Sequence, residues 1–264
     1  MKRIIPLLLL LLLLVSLTAA CGSAEDVEYY ITGRYIRRPT GNISLTQYEY
    51  DENWNLLSTI TTLDGEFSSA VEYTYSEDAS IVTMTATSAH SASTSTQVHR
   101  TFDDQGKILR AEACVKGNLV TATEYTYDDQ GREIKAVGAL ADGQRHTVEH
   151  IYDKHGNLLT YISDTGYAVT RQEFTYDQEN RQITAEYYQN GQLANRIDYT
   201  YENGVQKGMY YDAEGKHLQT SFATFDENGN MLTEEVFDIL GTLQTCTRYA
   251  YTGTDGSISS GIPE

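Results

Sequence analysis

Few side chains in this sequence have the types and spacing that chemistry requires. His146 and His150 lie four residues apart, on one face of a predicted strand. A zinc ion would need at least a third ligand, and the sequence pattern indicates no nearby residue for that role. His150 also stands where related segments of the chain carry Tyr125 or Tyr199. We therefore interpret it as a substituted aromatic position and predict no metal site.

Acidic residues are abundant, but most recur with predicted turns. Calcium prefers six to eight oxygen ligands, whereas each turn supplies one or two carboxylates, so turn capping is the favoured role. A catalytic pair should break the repeat, and only Glu234-Glu235 and Glu149-His150 do so mildly. No nucleophile elbow, phosphate loop or dinucleotide fingerprint is present. We predict no catalytic residue, no enzymatic activity and no cofactor.

One cysteine stands in a context that indicates covalent lipid attachment. Lys2 and Arg3 precede an apolar run over residues 4–17, and small residues then lead to Cys21. This run of about 14 residues is shorter than a bilayer span and is typical of a cleaved export signal. The segment Leu17-Thr18-Ala19-Ala20-Cys21 resembles the lipobox of bacterial lipoproteins, although Thr18 replaces the usual leucine. The alternative is an ordinary secretory peptide that is cut near Ala20.

The lipobox resemblance implies a signal peptide over residues 1–20 and a diacylated Cys21, followed by a short linker over residues 21–27. Two acyl chains give stable anchoring, so we expect an exported protein held at the extracytoplasmic face of the membrane through Cys21. Without residues 1–20 the chain carries 17 basic and 37 acidic residues, a formal charge of −20. Such a charge excludes nucleic acid as a favourable partner.

The rest of the chain repeats a single pattern. An aromatic residue followed by an acid or a small polar residue recurs every 24 to 27 residues, at positions 50, 75, 102, 127, 152, 176, 201, 225 and 251. A glycine precedes most of these aromatic residues by nine or ten positions. Each period therefore holds two turns about 12 residues apart, as in a β meander. One turn reads Asp-x-x-Gly, and the other often reads Asp-Gly or Asn-Gly, as in Asp64-Gly65 and Asn190-Gly191.

Alternation within the repeats places aromatic side chains on one face of the sheet. In Tyr125-Thr126-Tyr127 the two rings share a face, because side chains along a strand alternate. Packing in the core is the favoured role of this row, and a platform for a ligand is the alternative. The candidate binding residues are Tyr125, Tyr127, Tyr152, Tyr176, Tyr199 and Tyr201.

We predict an all-β antiparallel meander of about 16–18 strands over residues 28–251, forming a curved open sheet or a partial barrel with unpaired edges. Residues 252–264 are expected to form a flexible tail. The glycine-free segment 76–102 predicts a longer or irregular hairpin of the kind that marks binding loops, unless the repeat has simply drifted. Cys114 and Cys246 are expected to remain separate thiols.

Three segments resemble the Rhs/YD-repeat family: Tyr125–Arg132, Tyr152–Leu159 and Phe225–Leu232. Residues 187–193 are similar to the MORN-variant repeat, which is a second choice of family. The Rhs/YD resemblance implies stacked hairpins used as a shell, a scaffold or a carbohydrate-binding surface. We therefore expect a membrane-anchored, non-enzymatic module that binds a glycan or a cell-wall polymer. The alternative is an envelope structural or immunity-like module that binds a protein.

Overall fold

The computed structural model describes residues 28–140, 143–254 and 256–262. The predicted signal peptide over residues 1–20, the lipidation site Cys21 and the linker over residues 21–27 lie outside the described residues. No helix in the described part of the chain is long and apolar enough to cross a membrane. Every regular element in that part is a strand, which confirms the all-β prediction.

Nineteen strands follow one another along the chain. Their bounds are β1 Tyr29–Arg37, β2 Ile43–Tyr50, β3 Leu56–Leu63, β4 Glu66–Tyr75, β5 Ile81–Ser88, β6 Ser91–Phe102, β7 Ile108–Val115, β8 Asn118–Tyr127, β9 Glu133–Leu140, β10 Arg145–Tyr152, β11 Leu158–Asp164, β12 Val169–Tyr176, β13 Gln182–Gln189, β14 Gln192–Glu202, β15 Val205–Asp212, β16 His217–Phe225, β17 Met231–Asp238, β18 Leu243–Gly253 and β19 Ile258–Ser260.

The meander closes into a barrel. Each strand pairs antiparallel with the next, and β1 also pairs with β18, from Tyr29 opposite Gly253 to Arg37 opposite Cys246. The prediction of an open sheet or partial barrel with unpaired edges is therefore wrong. Closure is favoured because it gives partners to the backbone groups that two free edges would leave unpaired. Eighteen strands form the wall, and β19 adds a short pairing to the end of β18.

The two predicted types of turn are both present: five-residue turns predominate at one end of the barrel, and four of the five two-residue hairpins lie at the other. In the five-residue turn 103–107, Oδ1 of Asp103 accepts hydrogen bonds of 2.8 Å from the amides of Gln105 and Lys107. Gly106 has a φ of 81°, which a side chain would disfavour. At the other end, Asp64 and Gly65 have φ values of 52° and 84°, as a tight type I′ hairpin requires.

We call the end of the barrel that carries the Asp-x-x-Gly turns at Asp103, Asp128, Asp153 and Asp226 the acid-turn rim. The other end, which carries two such turns at Asp212 and Asp238, is the hairpin rim. The acid-turn rim comprises the turns 51–55, 76–80, 103–107, 128–132, 153–157, 177–181, 203–204 and 226–230. Because β1 starts and β18 ends at the acid-turn rim, the chain enters the barrel wall and leaves β18 at the same end.

Register defines an inner and an outer wall, because residues directly opposite each other share a face. Following the pairs around the ring puts the tyrosine row on one face with nearly all of the buried small residues, such as Ala136 and Ala185. Intervening residues such as Glu124 and Thr126 are exposed. The tyrosine face is therefore the inner wall. Tyr125 lies opposite Ala136 and Phe174 lies opposite Ala185, so each ring has room to lie across its neighbouring strand.

Three further expectations concern single segments. The β5–β6 connection is only Ala89 and His90, so a longer loop is absent there, and the irregularity is a register shift between Ala86 and Ser88. Residues 252–264 were expected to form a flexible tail, but they include the end of β18 and all of β19. Cys114 and Cys246 are free thiols, which confirms that they do not pair with each other.

Candidate functional site

The inner wall is a concave surface rich in tyrosine. Of the 21 tyrosines, fifteen in strands β2–β18 lie on it by register. They are Tyr48, Tyr50, Tyr73, Tyr75, Tyr125, Tyr127, Tyr152, Tyr161, Tyr176, Tyr187, Tyr199, Tyr201, Tyr210, Tyr249 and Tyr251. All fifteen are half-buried. A ring of 16–18 strands leaves an aqueous channel, so partial exposure is expected of side chains that face it.

The row nearest the acid-turn rim has a structural task. The hydroxyl of Tyr127 donates a hydrogen bond of 2.8 Å to the carbonyl oxygen of Ile108. Tyr176 and Tyr201 donate in the same way to Leu158 and Gln182, each at 2.8 Å. Tyr50, Tyr75 and Tyr251 repeat the contact. These rings lock six even-numbered strands, β2, β4, β8, β12, β14 and β18, to the strand before each of them, which leaves their hydroxyls occupied.

Arginines from the acid turns cover two of the predicted tyrosines. Nη2 of Arg132 lies 2.6 Å from Oδ2 of Asp128, and its guanidinium stands 4.6 Å from the ring centre of Tyr152 in the next repeat. Arg181 joins Asp177 to Tyr201 in the same manner, with its guanidinium 4.7 Å from the ring. This geometry is favourable for a cation above an aromatic face. The tyrosines of the rim-side row are thus held by hydrogen bonds or covered by arginines, and they are not free rings.

The second row lies two residues farther from the acid-turn rim and contains Tyr125 and Tyr199. Burial raises the pKa of Tyr125 to about 12 and also raises the pKa of Tyr199. Tyr199 lies opposite Gly208, where a Cβ would come within 3.2 Å of the tyrosine ring and 2.7 Å of Ser221 Oγ. Gly208 therefore allows Tyr199 to lie close against the wall with its other face toward the channel.

His146 and His150 both face inward. His146 lies over Gly138, where an added Cβ would overlap the imidazole ring, and His150 lies opposite Tyr161. Nδ1 of His150 is 3.8 Å from Oε1 of Glu133, and burial raises the pKa of Glu133 and lowers that of His150. In the described ranges, no three His, Cys, Asp or Glu side chains gather as a metal site would require.

Glu234 is an inner-wall acid whose surroundings the sequence did not reveal. By register it lies between Ala223 and Thr247, and burial raises its pKa. Its charge acts on the hydroxyls of Tyr199, Tyr210 and Tyr249, which come from three other strands. The break that Glu234-Glu235 makes in the acid periodicity was the only available signal. The second row and Glu234 together form the candidate binding surface.

A family model described as the teneurin YD-shell matches residues 38–244, most of the 264-residue chain. The chain belongs to the teneurin YD-shell family. This confirms the expected Rhs/YD relationship over the repeat region, in preference to the MORN-variant repeat. No curated protein matches this YD-shell chain.

Several solved structures are similar to this YD-shell, all at low identity. A porin-like protein from Bacteroides uniformis ATCC 8492 is 11% identical with a TM-score of 0.45, covering 84% of this chain and 97% of its own. A porin-like protein from Bacteroides vulgatus ATCC 8482 is 11% identical with a TM-score of 0.42, covering 83% and 97%. TcdB2-TccC3 without its hypervariable C-terminal region is 12% identical with a TM-score of 0.27, covering 89% and 18%. Similarities this weak carry no argument about function.

The outer wall of the YD-shell is charged. Ion pairs follow one another across it, including Arg110 with Glu124 at 2.8 Å and Lys135 with Glu149 at 2.7 Å. The hairpin rim differs, because it exposes large apolar side chains: Tyr167 is 77% exposed and Leu240 is 85% exposed. The channel, the charged outer wall and the apolar rim thus offer three distinct surfaces.

Proposed function

We propose that this YD-shell is an exported, lipid-anchored and non-enzymatic binding module whose channel takes a glycan or a cell-wall polymer. The observation that carries the proposal is the tyrosine-rich inner wall. Tyrosine combines a flat apolar ring with a polar tip, which suits the mixed apolar and hydroxylated faces of a sugar. A binding site needs a few placed polar groups beside such rings to fix orientation. Gln172, Gln189, Asn195 and Gln219 supply amides on the same wall.

The anchor proposed at Cys21 would set the orientation of the barrel. Six residues lie between Cys21 and Glu28, so the two are at most about 25 Å apart when this segment is fully extended. Because β1 starts at the acid-turn rim, that rim would face the membrane and the hairpin rim would point outward. A polymer would then enter the channel from the side away from the lipid.

A glycan array probed with the full chain in detergent tests the binding proposal. We expect binding to one class of polymer, reduced about tenfold or more by Tyr199→Ala because stacked rings contribute substantially to such contacts. Tyr35→Ala is the matched control, since Tyr35 pairs with Leu45 on the outer wall. Silence across the array, or equal loss in both variants, contradicts the proposal. Loss of labelling by an alkyne fatty acid in Cys21→Ser tests the anchor separately.

A protein partner at the hairpin rim is the second candidate function. In the β17–β18 turn of this rim, Ile239 and Leu240 are 59% and 85% exposed, and exposed apolar patches often mark protein contacts. A Leu240→Asp substitution would abolish capture of an envelope protein by this rim without changing glycan binding. Unchanged capture would contradict the second candidate.

A further inference from the structure

Glu234 is an acid without a counter-ion on an inner wall. Its neighbour Glu235 points to the outer face, where Oε1 lies 3.9 Å from Sγ of Cys246. Glu234 itself makes no hydrogen bond or ion pair with any residue in the described ranges. The other inner-wall glutamate, Glu133, has His150 within 3.8 Å. A half-buried carboxylate without a partner costs stability, and a ligand that supplied a positive charge would offset that cost.

Three tyrosines of neighbouring strands share the inner wall with this carboxylate. Tyr199, Tyr210 and Tyr249 approach from β14, β15 and β18, and all three interact electrostatically with Glu234. Small residues make room for them, since Gly208 lies opposite Tyr199 and Ala223 lies opposite Glu234. Ser221, opposite Gly208, adds a hydroxyl. The cluster therefore consists of one carboxylate and three tyrosine side chains on the channel side of the wall.

Arg34 is the cation nearest to this cluster by register, because it lies opposite Tyr249 across the closure seam. It forms no ion pair with Glu234 in the described part of the chain, and its Nε is buried without a hydrogen-bond partner. The charge of Arg34 acts on Tyr249, and Glu234 has no counter-ion within 4 Å among the described residues. A positively charged group on a ligand would complement the carboxylate.

We propose that Glu234, Tyr199, Tyr210 and Tyr249 form a subsite for a protonated amino group carried by the bound polymer, as on a sugar that lacks an N-acetyl group. An ammonium group gains a charge-assisted hydrogen bond from the carboxylate and attraction from the faces of the rings. A sugar that bears only hydroxyl or acetamido groups gains neither. This inference rests on the proposed function and deepens it by naming the class of ligand.

The test compares two oligosaccharides of equal length, one of glucosamine and one of N-acetylglucosamine, by calorimetry on the full chain in detergent. We expect the free-amine form to bind about tenfold more tightly, and we expect Glu234→Gln to remove that preference. Glu235→Gln, on the outer wall of the same strand, should keep it. A thermal midpoint of Glu234→Gln no lower than that of the native chain shows that the variant is folded.

The other outcomes each decide the matter. Binding of both oligosaccharides with equal affinity, or a preference that survives in Glu234→Gln, overturns the subsite and leaves the proposed glycan function standing. Absence of binding by either oligosaccharide overturns the subsite, and the glycan array then decides the proposed function independently.

Discussion

The hydroxyl of Tyr50 donates a hydrogen bond of 2.9 Å to the carbonyl oxygen of Ile31, nineteen residues earlier in the chain. The contact joins the end of β2 to β1, the strand that closes the barrel against β18. Five further tyrosines make the same hydrogen bond, so the contact recurs around the inner wall. The repeat therefore carries its own cross-link between neighbouring strands.

Removal of this hydroxyl should weaken the barrel slightly. Tyr50→Phe is expected to lower the free energy of unfolding by about 0.5–1.5 kcal/mol, the net contribution of one such hydrogen bond. Urea denaturation measures the change. Tyr48→Phe is the matched control, because Tyr48 lies two residues away on the same wall and its hydroxyl makes no hydrogen bond in the described part of the chain. Equal losses in the two variants would contradict this assignment.

Closure of the barrel can be trapped covalently. Arg37 on β1 is the register partner of Cys246 on β18, and opposed residues of antiparallel strands have Cα separations that a disulfide accepts. Arg37→Cys should therefore form a disulfide with Cys246 under mild oxidation. Peptide mapping by mass spectrometry without reductant detects the link.

The control for this experiment is Arg38→Cys, one residue farther on, in the turn after β1. Its thiol should stay free or react only with external reagents. In an open sheet β1 and β18 would lie at opposite ends, so free thiols at both 37 and 246 would argue against closure.

Acid should destabilise the turns. Hydrogen bonds from the side chain of Asn55 and from following amides lower the pKa of Asp51, and hydrogen bonds from the side chains of Ser80 and Ser76 lower that of Asp78 to about 2. Such groups bind fewer protons in the folded state, so their stabilisation is present above the unfolded pKa and disappears as pH falls through the folded one. We expect the urea midpoint to fall between about pH 4 and pH 2.

The urea midpoint of the Asp78→Asn variant should fall less than that of the native chain between about pH 4 and pH 2. Glu77→Gln removes a carboxyl from the same turn and leaves these hydrogen bonds in place, so its pH profile should follow the native one. A native midpoint that is flat down to pH 2 would contradict the stabilising role of the turn carboxylates.

Glu234 should show the opposite sign. Burial raises its pKa, so the folded state holds this proton more tightly and the ionised carboxylate opposes folding at neutral pH. Glu234→Gln is expected to increase the free energy of unfolding at pH 7, and the increase should shrink as the pH approaches 4. Glu235→Gln serves as the control on the outer wall. A destabilised Glu234→Gln chain at pH 7 would contradict this reasoning.

The strands and turns could be predicted from the sequence because the same residue pattern recurs in most repeats. The spacing of aromatic residues and glycines predicted the strands. Asp103 caps its turn and Asp64 takes a positive φ in its tight hairpin, as their positions predicted. Closure could not be predicted, because open and closed meanders share the same hairpins and only the accumulated coiling brings Arg37 to Cys246. The surroundings of Glu234 escaped prediction for a related reason. Tyr199 lies 35 residues away, and only the register of four strands brings the two together.

Because β1 and β18 meet at one mouth, the repeat at which the chain starts can be changed while the cyclic order of the repeats is kept. A short peptide that joined residue 262 to residue 28 would make the wall a closed chain, which could then be cut at a two-residue hairpin of the hairpin rim, such as the one at Asn190 and Gly191. Circular permutants made in this way should rebuild the same ring, since each hairpin depends mainly on its two neighbours. The new ends would then lie at the hairpin rim. A tether attached there would turn that rim, instead of the acid-turn rim, toward the anchoring surface.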